Sequence, residues 1–119
     1  MKSRRSLRLR LEHILKGIAR IESLTTGKTA QDYLADESLR EMIERNIARI
    51  SEAARFVPND VRARYPAVPW RRIVGIGNVS RHDYDEIDDR VMRDTATEKL
   101  LPLKEAVERV LREVKATER

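Results

Sequence analysis

The sequence predicts an all-α fold, an antiparallel bundle of four or five helices with short connections. Three observations carry that expectation. Apolar residues recur at three- and four-residue spacings in several windows, which is the period of one helix face. Glycine and proline are scarce, four of each in 119 residues, while Leu, Ile, Ala, Arg and Glu are plentiful and favour helices. No segment alternates apolar and polar residues for long enough to make a strand.

Each element follows in order. Leu7, Leu11, Ile14, Ile18 and Ile21 form the stripe of a first helix, which Gly27 closes as a C-cap. A polar connection follows, with a short turn at Ala30 to Leu34. Asp36 or Ser38 can cap a second helix, and Ser38 with Glu41 spells a capping box. Its core stripe is Leu39, Ile43, Ile47, Ile50, Ala54 and Val57, and Pro58 stops it. Pro58 to Pro69 is a proline-bounded connection whose Tyr65, Pro66 and Val68 are expected to pack on the bundle. Pro69 suits the first turn of a helix carrying Trp70, Ile73, Val74 and Ile76 and ending near His82 to Tyr84. Gly75 and Gly77 each cost that helix about 1 kcal/mol against alanine. Asp85 can cap a further helix through Ile87, Val91 and Met92. Pro102 starts the last one, with Leu103, Val107, Val110, Leu111 and Val114.

The length fits one domain, residues 1–119, with a modest core that dimerisation would help to stabilise. There is no cysteine, which excludes disulfides, thiolate metal sites and a thiol nucleophile. The two histidines, His13 and His82, stand far apart in sequence, so no zinc-type ligand spacing is present and no metal or cofactor is expected. No apolar run approaches the roughly 20 residues that span a bilayer. Met1 to Arg10 is basic but lacks a following apolar stretch, so the chain reads as soluble and cytoplasmic. Lys and Arg outnumber Asp and Glu by 25 to 20, a net charge of +5. That excess permits RNA or nucleotide contact without demanding it.

The chemistry concentrates between Asn78 and Tyr84, where an amide, an imidazole, a carboxylate (Asp83) and a phenol fall together. An imidazole exchanges protons near neutral pH. It can take the proton of a ribose 2′-OH or give one to a leaving oxygen. An adjacent arginine such as Arg81 can hold a phosphate. The plain alternative is a capping or surface histidine, a half-buried tyrosine and a helix-end asparagine. Arg45, Arg49 and Glu52, at i, i+4 and i+7, share one helix face. They form either a surface ion-pair ladder or contacts to a substrate. His13 is read as solvent-facing or interfacial.

Four stretches together resemble the HepT-like branch of the HEPN superfamily. They are Arg8 to Leu15 with Ile18, Ile21-Glu22 and Gly27; Arg45 to Ala54; Tyr65-Pro66-Ala67-Val68-Pro69-Trp70; and Gly75 to Tyr84 followed by Leu100-Leu101-Pro102-Leu103. The resemblance runs in order along nearly the whole chain. It implies a HEPN-like helical bundle that forms a homodimer, with RNA as substrate or ligand in a cleft between subunits. It also implies metal-independent ribonuclease activity, in a toxin–antitoxin pair with a cognate minimal nucleotidyltransferase antitoxin. On this chain the family's histidine falls on His82, its asparagine on Asn78, and the tyrosine that receives AMP units on Tyr84. The matching positions place Arg45, Arg49, Glu52, Arg81 and Asp83 as possible substrate or cleft contacts.

One motif position departs from the pattern. The family's arginine falls on Gly77, which has no charge and no donor fork. Three readings compete: a non-catalytic family member that binds nucleotide, RNA or its partner; an inactivated toxin; or Arg81 supplying the charge. On a regular helix Arg81 stands about 100° round from His82.

Overall fold

Residues Leu11, Ile14, Ile18 and Ile21 are buried along one face, with Leu7 partly buried above them. This stripe drives α1 (Arg4–Thr25) onto the bundle. The structure is a computed structural model that describes residues 4–82, 98 and 100–117, and at residues 4 and 77–82 the backbone alone. At the end of α1 the Thr25 and Thr26 hydroxyls donate back to the carbonyls of Ile21 (2.8 Å) and Glu22 (2.6 Å). Gly27 follows at φ +76°, a left-handed turn that glycine adopts without steric cost.

The connection after Gly27 is more ordered than a turn. Ala30–Ala35 is a short helix, α2, and it buries Tyr33. Its capping box is Thr29 with Asp32: the Asp32 N–H donates to the threonine hydroxyl at 3.0 Å and the Thr29 N–H to the carboxylate at 2.8 Å. The expected Ser38–Glu41 box does not form. Asp36 takes the N-cap of α3 (Glu37–Arg55) by accepting from the Leu39 N–H at 3.1 Å, which leaves Ser38 already inside the first turn. The α3 stripe is buried as read, from Leu39 to Ala54 with Val57 beyond the helix end.

Another helix, α4 (Asn59–Ala63), lies inside the proline-bounded connection, with Pro58 at its N-cap. Its Arg62 reaches back to the end of α3 and donates to the carbonyls of Ala54 (2.8 Å), Arg55 (3.1 Å) and Val57 (3.0 Å). The Ala54 carbonyl also accepts the Val57 N–H at 3.1 Å; Arg62 adds the donor that carbonyls at a helix C-terminus otherwise lack from the helix itself. Val68 is buried and Tyr65 partly so, whereas Pro66 is exposed rather than packed. α5 (Trp70–His82) and α6 (Leu100–Thr117) complete the set. The expected helix from Asp85 through Ile87, Val91 and Met92 lies outside the described residues.

Among the described residues the chain is six helices and no strand. α1 packs on α3 and on α6, and α3 packs on α5. Glu22, near the end of α1, pairs with Lys104, near the start of α6, at 2.9 Å. Ser51, near the end of α3, bonds Val74, near the start of α5, at 2.8 Å. Both pairs are therefore antiparallel. The α4 end is tied to α6 by Arg64, whose guanidinium reaches Glu113 at 2.6 Å. That exposed pair raises the arginine's already high pKa but contributes little stability. No helix among the described residues is long and apolar enough to cross a membrane.

Candidate active site

α5 carries the motif residues, and several contacts fix its first turns. Trp70 is buried and donates its indole N–H to the Tyr65 carbonyl at 3.1 Å. The Arg62 guanidinium lies 5.9 Å from the indole ring. The Pro69 carbonyl accepts the Ile73 N–H at 3.0 Å, which opens the helix. Ile73 and Ile76 are buried. The Ser51 hydroxyl, itself 1% exposed, donates to the Val74 carbonyl. Packing on one face thus overrides two weak helix formers, and α5 runs unbroken through Gly75 and Gly77 to His82. A Cβ at Gly75 would meet nothing within 4 Å, so no close approach demands glycine there.

The register follows from this continuity. Trp70, Ile73 and Ile76 define the buried face. Asn78 and His82 stand four positions apart on the opposite face, in the row that contains Arg71 and Gly75. His82 lies about 12 Å along the axis from Val74, at 1.5 Å per residue. Gly77 stands about 140° round from His82. Because the helix stays regular to its last residue, the offset of about 100° between Arg81 and His82 stands as well. Asp83 and Tyr84 lie outside the described residues.

The three α3 candidates separate. Arg45 is exposed. Arg49 and Glu52 line a groove of about 350 Å³ between α3 and α1. Glu52 pairs with Arg55 at 3.2 Å, one turn along its own helix. From α1 the groove takes Arg10, His13, Lys16, Gly17 and Arg20, and from α3 also Asn46 and Ala53. His13 is exposed, as read, and stands at this groove. The α1 cations and Asn46 are groove residues that sequence reasoning misses. Each α1 cation alone reads as a solvated helix face, and only the placement of α1 against α3 gathers them. Asn46 does carry a usable signal, since it stands three residues after Ile43 and four before Ile50, at the spacing of the apolar stripe. Among the described residues no group of three His, Asp or Glu side chains is placed to hold a metal ion.

Comparison with known proteins adds the family. The sequence profile described as "Ribonuclease HepT-like" matches residues 14–110. A protein named "Probable ribonuclease HepT", from Thermococcus cleftensis, is 31% identical over 84% of this chain and 91% of its own length. A "Gamma-glutamylcyclotransferase and putative RNase" of Methanocaldococcus jannaschii is 26% identical over 93% of this chain, which spans only 50% of that longer protein. A "Putative RNase" of Caldanaerobacter subterraneus is 27% identical over 88% of this chain and 94% of its own length. No solved structure matches. With the profile covering most of the described bundle, including α5 and its motif positions, the chain belongs to the HepT-like ribonuclease family.

Proposed function

We propose that the chain is the RNA-directed toxin component of a toxin–antitoxin pair, acting as a homodimer and regulated by a minimal nucleotidyltransferase. The observation that carries this reading is the regular α5, which holds Asn78 and His82 in one row on the face away from the core. Two such faces brought together by dimerisation would make a composite cleft. In that cleft His82 takes the proton of a ribose 2′-OH as the oxygen attacks the adjacent phosphorus. The imidazolium passes that proton, directly or through water, to the 5′-oxygen as its bond to phosphorus breaks, and a 2′,3′-cyclic phosphate remains. Asn78 positions the imidazole or the strand. No metal is needed for this acid–base step.

Gly77 sets the rate. A guanidinium aimed at the scissile phosphate stabilises the charge that develops there, and removing such a group costs about 10²–10³ in rate. The chain is therefore a slow nuclease by this reading. The same observation favours a second reading, a dimer that binds RNA or its partner without cutting.

Regulation falls on Tyr84. Its phenolic oxygen attacks the α-phosphorus of ATP held by the nucleotidyltransferase, the O–P bond forms and pyrophosphate leaves. The added phosphate and its bulk repel RNA from the cleft. Mass spectrometry of the chain after incubation with ATP and the cognate nucleotidyltransferase tests the pairing. A gain of one or more AMP units, absent in Tyr84→Phe, is expected. No gain with an active transferase would refute the toxin–antitoxin assignment and leave the plain binding module.

A further inference from the structure

We infer that the groove between α1 and α3 is a second RNA-binding site, one that grips the backbone of a single strand and senses its 2′-hydroxyl. The inference rests on the RNA-directed reading above and extends it to residues outside the α5 motif. Four cations, Arg10, Lys16, Arg20 and Arg49, line the groove against one carboxylate, Glu52, which is already engaged by Arg55. Among the described residues no carboxylate pairs with Lys16, Arg20 or Arg49. Unpaired cations converging on one concave surface raise its potential and attract a polyanion.

One of these cations is held as well as charged. The Arg10 guanidinium lies 3.9 Å from the centroid of the Phe56 ring, which is half exposed at the end of α3. Stacking uses the face of the guanidinium and leaves its in-plane N–H donors for phosphate oxygens. Arg10 and Arg20 are separated by about 15 Å along the α1 axis, at 1.5 Å per residue. That span exceeds one phosphate group and suits a strand better than a mononucleotide.

The floor supplies the second observation. Asn46 is 7% exposed and donates its amide N–H to the Met42 carbonyl at 2.8 Å. Its Oδ1 is buried and meets no donor among the described residues. A buried acceptor without a donor costs free energy until something supplies one. A basic wall offers phosphate contacts, and a lone acceptor at its base calls for a donor on the same ligand. A ribose 2′-OH is such a donor, and DNA lacks it.

Fluorescence anisotropy with a labelled single-stranded RNA, and DNA of the same sequence, tests this. His82→Ala serves as the background so that no turnover consumes the probe. The triple variant Lys16→Ala/Arg20→Ala/Arg49→Ala should weaken RNA binding at least tenfold. It should also flatten the slope of log Kd against log salt by about two, at roughly 0.7 for each phosphate no longer neutralised. Asn46→Leu, with helicity checked by circular dichroism, should abolish a preference for RNA over DNA. Unlabelled AMP should not displace the strand at equal nucleotide concentration. RNA binding that the triple variant leaves intact, with the same salt slope, overturns the groove and spares the RNA-directed reading. Displacement by AMP overturns the strand as occupant. A background protein that binds no RNA overturns both.

Discussion

The Ser51 hydroxyl donates to the Val74 carbonyl at 2.8 Å, across the contact between α3 and α5. It is a part-buried bond between residues 23 apart in sequence, and it sets the height of α5 on α3. Asn78 is one turn beyond Val74 and His82 is two, so their position depends on this anchor. Ser51→Ala should lower stability by about 1 kcal/mol, the net worth of one such bond. In a domain of this size that is about 3–6 °C in Tm. Differential scanning calorimetry reads it, and an unchanged Tm would mean that the bond does not hold the helix.

Gly17 marks the close approach of α1 to α3. A Cβ placed there would sit 2.7 Å from Ile50 Cγ1. Ile50 is 1% exposed and β-branched, so it has little room to turn. Alanine is the better helix former by about 1 kcal/mol. Overpacking should still win, and Gly17→Ala should destabilise the fold by about 1–3 kcal/mol. Urea denaturation measures this, and Ile50→Ala in the same chain should recover part of the loss from Gly17→Ala. A stabilised Gly17→Ala would contradict the packing described.

Asp32 gives the acid limb of stability a local signature. The Thr29 backbone N–H, then its hydroxyl, hold the carboxyl below its ordinary pKa. A depressed folded-state pKa means that the cap contributes above the unfolded value, about 3.9, and is lost as pH falls through the folded one. An NMR titration should find the Asp32 midpoint below the ordinary value. Asp32→Asn should flatten the loss of thermal stability at acid pH relative to the parent. A midpoint at or above the ordinary aspartate value would remove the capping box from the account.

The long helices are legible because their apolar stripes repeat over many turns, and Leu11 to Ile21 and Leu39 to Val57 are buried as the spacing says. α2 and α4 are not, since six and five residues are too few for a period to show. Thr29-x-x-Asp32 does spell a capping box, but the longer apolar run after Ser38 is the louder signal. The motif row on α5 is legible through family resemblance alone. The groove is illegible because it belongs to two helices: Lys16 and Arg49 are ordinary surface cations until Gly17 lets α1 settle on Ile50.

We propose that His82 on α5 performs acid–base cleavage of RNA and that Gly77 slows it. The direct measurement is the rate of cleavage of a single-stranded RNA by the parent, by Gly77→Arg and by Gly77→Arg/His82→Ala, each confirmed as folded by circular dichroism. The parent should cleave slowly, restoring the arginine should raise the rate by about 10²–10³, and that rise should vanish without His82. A folded Gly77→Arg protein no faster than the parent, or one whose rate survives His82→Ala, would contradict this proposal.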